Sequence, residues 1–206
     1  AVLLVQSEVI FGVIIAAILL GERPSLRQIL GIVMASCGVV VILGAPALEG
    51  QWLGIGLVLS GALVWAFGQV LIRRLDGALG GFQLTAWIGV MAGPQMLLAS
   101  CLIDGNPLPA IQAAPIEAWL TVIYLGVVMT AIGYSAWYYV LVRYPVPMVM
   151  PVLLLLPVAA IFGAVTMLGE VPDPMVLAGG MVVIFGVGVV VVEPAYLLAW
   201  WRKKTG

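Results

Sequence analysis

The residue best placed to do chemistry in this chain is Glu8, the one acid inside a long apolar segment. An ionised carboxylate at the centre of a bilayer costs about 2.5–3.5 kcal/mol on insertion scales, so it requires a partner, a cavity or a proton. Gln6 and Ser7 adjoin it. We predict that Glu8, with Gln6, contacts a cation or couples to protons. The alternative is a protonated, hydrogen-bonded residue that only packs helices together.

Two further groups of polar and aromatic residues are spaced to share one face of a helix. On an inward face they would line a cavity that binds an amphipathic organic solute through stacking, cation–π contacts and hydroxyl donors. The alternative is ordinary packing, with the tyrosine hydroxyls satisfied locally. The groups are Trp65 with Gln69, and Thr130 with Tyr134, Trp137 and Tyr138.

Pro157 lies inside another apolar segment. A proline there removes a backbone donor and frees a carbonyl group, which can create a kink or a gate. A static bend is the alternative reading.

Other kinds of site lack their residues. The chain has no histidine, and each aspartate lies in a loop, so we expect no metal site, no cofactor and no intramembrane aspartyl chemistry. Both lysines lie at the C-terminus, which rules out a retinal Schiff base within the bilayer. No basic patch indicates nucleic acid, and no nucleotide-binding motif is present.

The elements that hold these residues are predicted to be membrane helices. Of the 206 residues, 64% are hydrophobic and 8% are charged, whereas soluble domains carry about 25% charged residues. An apolar run of about 20 residues crosses the hydrocarbon core. The fold class is therefore all-α, a polytopic bundle of seven transmembrane helices. The runs are 1–20, 26–45, 52–72, 82–103, 116–142, 147–168 and 174–192.

The basic residues predict the orientation of these spans. All eight follow spans 1, 3, 5 or 7, which places them on one side of the membrane. By the positive-inside rule that side, with the C-terminus, is cytoplasmic. We interpret 193–206 as a cytoplasmic amphipathic tail whose aromatic residues lie at the interface.

An internal repeat connects the two ends of the chain. Leu20-Gly21-Glu22-x-Pro24 recurs 148 residues later as Leu168-Gly169-Glu170-x-Pro172. Gly31 and Gly38 match Gly179 and Gly186 at the same offset. The two turns face opposite sides of the predicted bundle, and inverted repeats of this kind are typical of secondary transporters. We expect Glu22, Glu170 and the prolines to shape the turn into the next helix.

These motifs resemble the EamA-type branch of the drug/metabolite transporter superfamily. The resemblance implies ten helices in two inverted halves, of which this chain would supply helices four to ten. It implies that 1–46 ends the first repeat and that 52–192 is the second. The matching stretches are the repeated turn, Ala131-x-x-Tyr134-x-x-Trp137-Tyr138-x-x-Leu141, and Leu156-Pro157-Val158-Ala159-Ala160.

We therefore expect a multi-pass inner-membrane transporter, an exporter of small organic metabolites that works by alternating access and is not an enzyme. A lipid-carrier flippase of the same superfamily is the alternative, and a membrane-embedded enzyme is a weaker one. The expected partners are a small-molecule solute, the lipid bilayer and protons. Homodimer formation stays open.

Overall fold

The chain folds into helices along its described length. A computed structural model describes residues 2–44, 52–75, 77–103 and 105–192, and within these ranges all regular structure is helical. The predicted tail 193–206 lies outside the described residues. In chain order the helices are α1 Val2–Val5, α2 Ser7–Leu19, α3 Leu26–Leu43, α4 Trp52–Arg74, α5 Gly81–Ile103, α6 Leu108–Gln112, α7 Ile116–Tyr124, a π-helix Leu125–Tyr134, α8 Ser135–Leu141, α9 Val146–Val149, a 3-10 helix Met150–Leu155, α10 Leu156–Leu168 and α11 Pro174–Val191.

The lengths of these helices match the predicted membrane bundle. Six are at least 18 residues long and apolar enough to cross a membrane, when the helical runs Ile116–Leu141 and Val146–Leu168 are each taken as one. The seventh apolar run contains the 13-residue helix α2, preceded by α1 and interrupted at Gln6. The polytopic helical fold is thus confirmed.

The helices form two compact units. Of the described residues, those up to 74 and those from 144 to 192 form unit 1, and those from 75 to 143 form unit 2. These units are defined by which helices contact each other, and they do not test the predicted division of the sequence into repeats. The division into repeats at 1–46 and 52–192, with a tail at 193–206, stays a prediction.

In unit 1 the two helices that follow the repeated turn, α3 and α11, pack tightly against each other. A Cβ atom placed on Gly31 would lie 2.7 Å from the carbonyl oxygen of Gly186, and one on Gly38 would lie 2.8 Å from that of Gly179. The reciprocal distances are 2.8 Å and 3.0 Å. The helices are therefore antiparallel. Gly31 contacts Gly186, which is the residue that matches Gly38 in the repeat, and Gly38 contacts Gly179, which matches Gly31. This exchange of partners is the symmetric contact expected of two inverted copies.

Small residues allow this close approach. Ala16, Ala35 and Ala66 are 0% exposed, whereas large aliphatic side chains cover the outside of the helices, as with Leu53 at 81% exposed. A membrane bundle gains little from burying leucine, since lipid tails are equally apolar, so backbone proximity and van der Waals contact hold its helices together.

The two copies of the repeated turn have the same backbone geometry. Gly21 has φ +71° and Gly169 has φ +68°, values that favour glycine. The N–H groups of Glu22 and Glu170 donate to carbonyl groups six residues earlier, each at 3.3 Å. In the first copy the next helix is capped by Ser25, whose hydroxyl accepts from the Gln28 N–H while Gln28 Oε1 accepts from the Ser25 N–H.

In unit 2 the start of α5 packs against α8. A Cβ atom on Gly81 would lie 2.3 Å from the carbonyl oxygen of Ser135, so the two backbones touch. The Ser135 hydroxyl donates to the Ala131 carbonyl and lies 3.3 Å from Thr85 Oγ1, whose own proton goes to the Gly81 carbonyl. A polar contact thus joins helices that are otherwise apolar.

Candidate functional site

Unit 1 contains a cavity of about 520 Å³ that is lined by three helical segments. It lies between the start of the first span, the end of α3 and the first part of α10. Glu8, Gln6 and Pro157, three of the residues predicted from the sequence, line this cavity together. The other lining side chains are aliphatic, among them Val5, Ile42, Leu43, Leu156 and Ile161.

The local structure of the first span places Glu8 at this cavity. The helix is interrupted at Gln6, and Glu8 falls in the first turn of α2. A helix N-terminus carries a partial positive charge, which favours a carboxylate there. Both side chains are largely buried, with Glu8 8% and Gln6 9% exposed. Glu8 is therefore an acid held against an apolar cavity rather than at the protein surface.

The opposite wall has an irregular backbone around Pro157. The 3-10 helix Met150–Leu155 precedes it, and the Leu156 N–H donates to the carbonyl of Leu153. Because proline has no N–H, the ordinary helical bond from residue 157 cannot form, and the 3-10 hydrogen bonds satisfy the carbonyl groups that precede it. The helix pitch therefore changes just before Pro157, beside the cavity, and a kink or gate at this proline stays a prediction.

Trp65 and Gln69 lie elsewhere in unit 1. They are on α4, which packs against α2, and neither lines the cavity that contains Glu8. Gln69 is 3% exposed and Trp65 is partly buried. A role for this pair in solute binding stays a prediction.

The predicted aromatic stripe lies in unit 2. The rings of Tyr134 and Tyr138 are in contact, with centroids 5.7 Å apart, and Tyr138 is 6% exposed. Trp137 is partly buried. Thr130 is exposed, and its hydroxyl donates to the carbonyl of Leu125 five residues earlier at 2.9 Å, in keeping with the π-helix. The π-helix changes the helical repeat between Thr130 and Tyr134, whereas Tyr134 and Tyr138 make the contact expected of residues four apart in an α-helix. A role for these four residues in solute binding stays a prediction.

The structure also shows a role for Glu22 that differs from the sequence-based prediction. Gly21 and the Ser25 cap shape the turn, whereas the Glu22 carboxylate bonds two distant groups. Its Oε1 accepts from Arg73 Nε at 2.9 Å, and its Oε2 accepts from the Val146 N–H at 2.7 Å. These partners are 51 and 124 residues away in the chain, and no spacing pattern points to them.

Comparison with known proteins identifies relatives of the chain. It is 30% identical over 194 residues to a probable amino-acid metabolite efflux pump of Salmonella typhimurium, covering 90% of this chain and 64% of that protein. It is 32% identical over 189 residues to a probable terminal-alkyne amino-acid exporter of Streptantibioticus cattleyicolor, covering 91% of this chain and 62% of that protein. The chain thus spans less than two thirds of the length of these relatives, both of which have names of transport proteins.

No solved structure matches the chain significantly. The model of the EamA-like transporter family matches residues 52–192, which is more than half of the chain. This match confirms the resemblance seen in the repeated turn and in the two stretches around Tyr134 and Pro157. The chain therefore belongs to the EamA-like transporter family.

Proposed function

We propose that the protein is a secondary exporter of small organic metabolites that works by alternating access in the inner membrane. The observation that carries the proposal is the cavity that unites Glu8, Gln6 and Pro157 between helices of unit 1. The names of the two relatives, an efflux pump and an exporter, support the direction of transport.

The lining of the cavity favours a solute that joins an ammonium group to an aliphatic body. Glu8 offers a carboxylate and Gln6 offers an amide oxygen, while the opposite wall around Pro157 is aliphatic. A volume of about 520 Å³ falls in the range typical of small-molecule sites. It suits a metabolite of amino-acid size better than the long chain of a lipid carrier. Amines derived from aliphatic amino acids meet these conditions.

Glu8 would also couple transport to protons. A carboxyl group that holds a proton has no charge with which to attract an ammonium group, so proton and solute compete for Glu8. Release of one would accompany uptake of the other, and a proton gradient would then drive export. This competition is the physical basis of the coupling that we propose.

Two features of unit 1 support alternating access. The first is the antiparallel contact of α3 with α11, because two inverted repeats related by a pseudo-two-fold axis place their matching helices antiparallel to each other. The 3-10 helix before Pro157 provides a segment whose hydrogen bonds differ from those of an α-helix, and such segments often mark hinges.

The proposed orientation has the C-terminus in the cytoplasm. The basis is that Arg23, Arg27, Arg73 and Arg143 follow spans that cross the membrane in the same direction, and positive residues mark the cytoplasmic side. Homodimer formation stays a prediction.

The test uses everted membrane vesicles from cells that express the protein, with L-leucinamide as the solute. We expect proton-gradient-driven accumulation that depends on pH, and weaker accumulation of 4-methylpentanoate, which lacks an ammonium group. Glu8→Gln should abolish the pH dependence. Glu117→Gln is the matched control, because Glu117 lies exposed in the first turn of α7. Retained pH dependence in Glu8→Gln would remove Glu8 from this role, and a preference for the acid would contradict the proposed solute class.

A further inference from the structure

The Glu22 carboxylate ties together three segments of unit 1 at one end of its helices. Glu22 follows the end of α2, Arg73 is in the last turn of α4, and Val146 begins α9. The distances of 2.9 Å and 2.7 Å use both carboxylate oxygens. We name Glu22, Arg73 and the Val146 N–H the Glu22 clamp.

The charges of the clamp are favourably placed. Arg73 is in the last turn of α4, and the Glu22 carboxylate is at the start of the helical run Val146–Leu168, the positions at which a helix dipole favours a cation and an anion. Each side chain of the ion pair is 18% exposed. The pair is thus shielded from water enough to contribute, yet it can separate without moving a charge out of a fully buried site.

The clamp and the cavity lie at opposite ends of α2. The cavity is lined from the start of α2 and from the end of α3, whereas the clamp lies beyond the end of α2 and at the start of α9. About 20 Å of helix separates Glu8 from the turn that bears Glu22. Contacts between α2 and α9 close the intervening part of unit 1, with Val149 only 4% exposed.

We propose that Glu22 and Arg73 are positioning residues that hold this end of unit 1 closed while the cavity at the other end receives or releases solute. Breaking the clamp would let α9 and α4 separate from α2, which is the movement needed to open the clamp end. The inference rests on the proposed alternating access, but its structural part can be measured without any solute.

The test measures whether a buried position beside the clamp becomes accessible. Cys37 and Cys101 are first replaced by serine, and Val149→Cys then serves as the reporter in membrane vesicles treated with a membrane-impermeant maleimide from the clamp side. We expect slow labelling in the parent protein. Glu22→Gln and Arg73→Gln should label roughly tenfold faster, a factor that corresponds to about 1.4 kcal/mol in favour of the open state.

Two controls separate a specific clamp from general damage. Arg73→Lys keeps the positive charge and should label at a rate close to that of the parent. Glu170→Gln makes the same chemical change in the other copy of the turn, where Glu170 is exposed, and should have no effect. In the transport assay with L-leucinamide, Arg73→Gln should change KM and the maximal rate by different factors, and Arg73→Lys should restore both.

The labelling result decides the inference independently of transport. Faster labelling in Glu22→Gln and Arg73→Gln, but not in the controls, supports the clamp. This holds even if L-leucinamide is not transported, and in that case only the proposed function fails. Unchanged labelling in both variants, or equal acceleration in Glu170→Gln, would overturn it. If Glu22→Gln does not reach the membrane, the labelling rates of Arg73→Gln and Arg73→Lys are compared instead. Equal rates in these two variants would overturn the inference.

Discussion

Replacing Gly38 by alanine should destabilise the contact between α3 and α11. The added Cβ atom would lie 2.7 Å from Val183 Cγ2, 2.8 Å from the Gly179 carbonyl oxygen and 2.8 Å from the Val183 nitrogen. Ordinary contact begins at 3.4 Å, so backbone atoms must move by about 0.6 Å. A side-chain rotation cannot relieve this clash, because two of the three atoms belong to the backbone of α11.

The magnitude follows from two opposing effects. Overpacking of a tight contact costs about 1–3 kcal/mol. Alanine is favoured over glycine inside a helix by about 1 kcal/mol, which offsets part of that cost. The expected net destabilisation of Gly38→Ala is therefore about 0–2 kcal/mol, and Gly38→Leu should exceed it because its larger side chain cannot fit in the contact.

The assay measures the midpoint temperature of thermal unfolding in detergent. Unfolding is monitored as the loss of the monodisperse peak in size-exclusion chromatography. Gly188→Ala is the matched control, since Gly188 is on α11 and has open space around its Cβ position. That variant should be as stable as the parent or more so. The reasoning would be refuted if Gly38→Ala unfolded at the same temperature as Gly188→Ala, or at a higher one.

Two other substitutions test local features. Ser25→Ala removes the cap of α3 and should cost about 0.5–2 kcal/mol, visible as a lower unfolding midpoint, whereas Ser25→Asp should retain most of the stability because aspartate also caps helices. Gly81→Ala places a Cβ atom 2.3 Å from the Ser135 carbonyl oxygen and should separate α5 from α8; Gly89→Ala, with open space, is its control. Equal unfolding midpoints for the two glycine variants would contradict the backbone contact in unit 2.

Much of the architecture could be predicted from the sequence, because membrane helices depend on local properties. Apolar length identified the spans, and the repeated glycines pointed to a duplication. Gly21 and Gly169 share a positive φ because the same turn chemistry occurs twice. These features require only residues that are near each other in the chain, so a single sequence contains them.

The candidate site was only partly predictable. Glu8 stood out because an acid in an apolar run is costly, and Pro157 because it interrupts a helix. That both line one cavity depends on how the first span, α3 and α10 come together in the fold, for which no local pattern exists. The sequence does not predict the π-helix at 125–134, because its apolar residues are equally compatible with an α-helix.

The distant contacts of Glu22 lie beyond the sequence for a similar reason. The sequence predicts only that this carboxylate helps to shape the turn into the next helix. Ser25 caps that helix, and the Glu22 carboxylate bonds Arg73 and Val146. A contact over 124 residues can be recognised only once the chain is folded.

The glycine contact between α3 and α11 has a consequence for how these helices can evolve. Gly31 matches Gly179 in the repeated sequence, yet it touches Gly186. The contact is with the carbonyl oxygen of Gly186, and glycine is already the smallest residue, so no substitution at position 186 can make room for a larger residue at position 31. Sequence correspondence and physical contact connect these four glycines in different pairs. Each glycine is therefore constrained by the backbone of a residue that is not its match in the repeat.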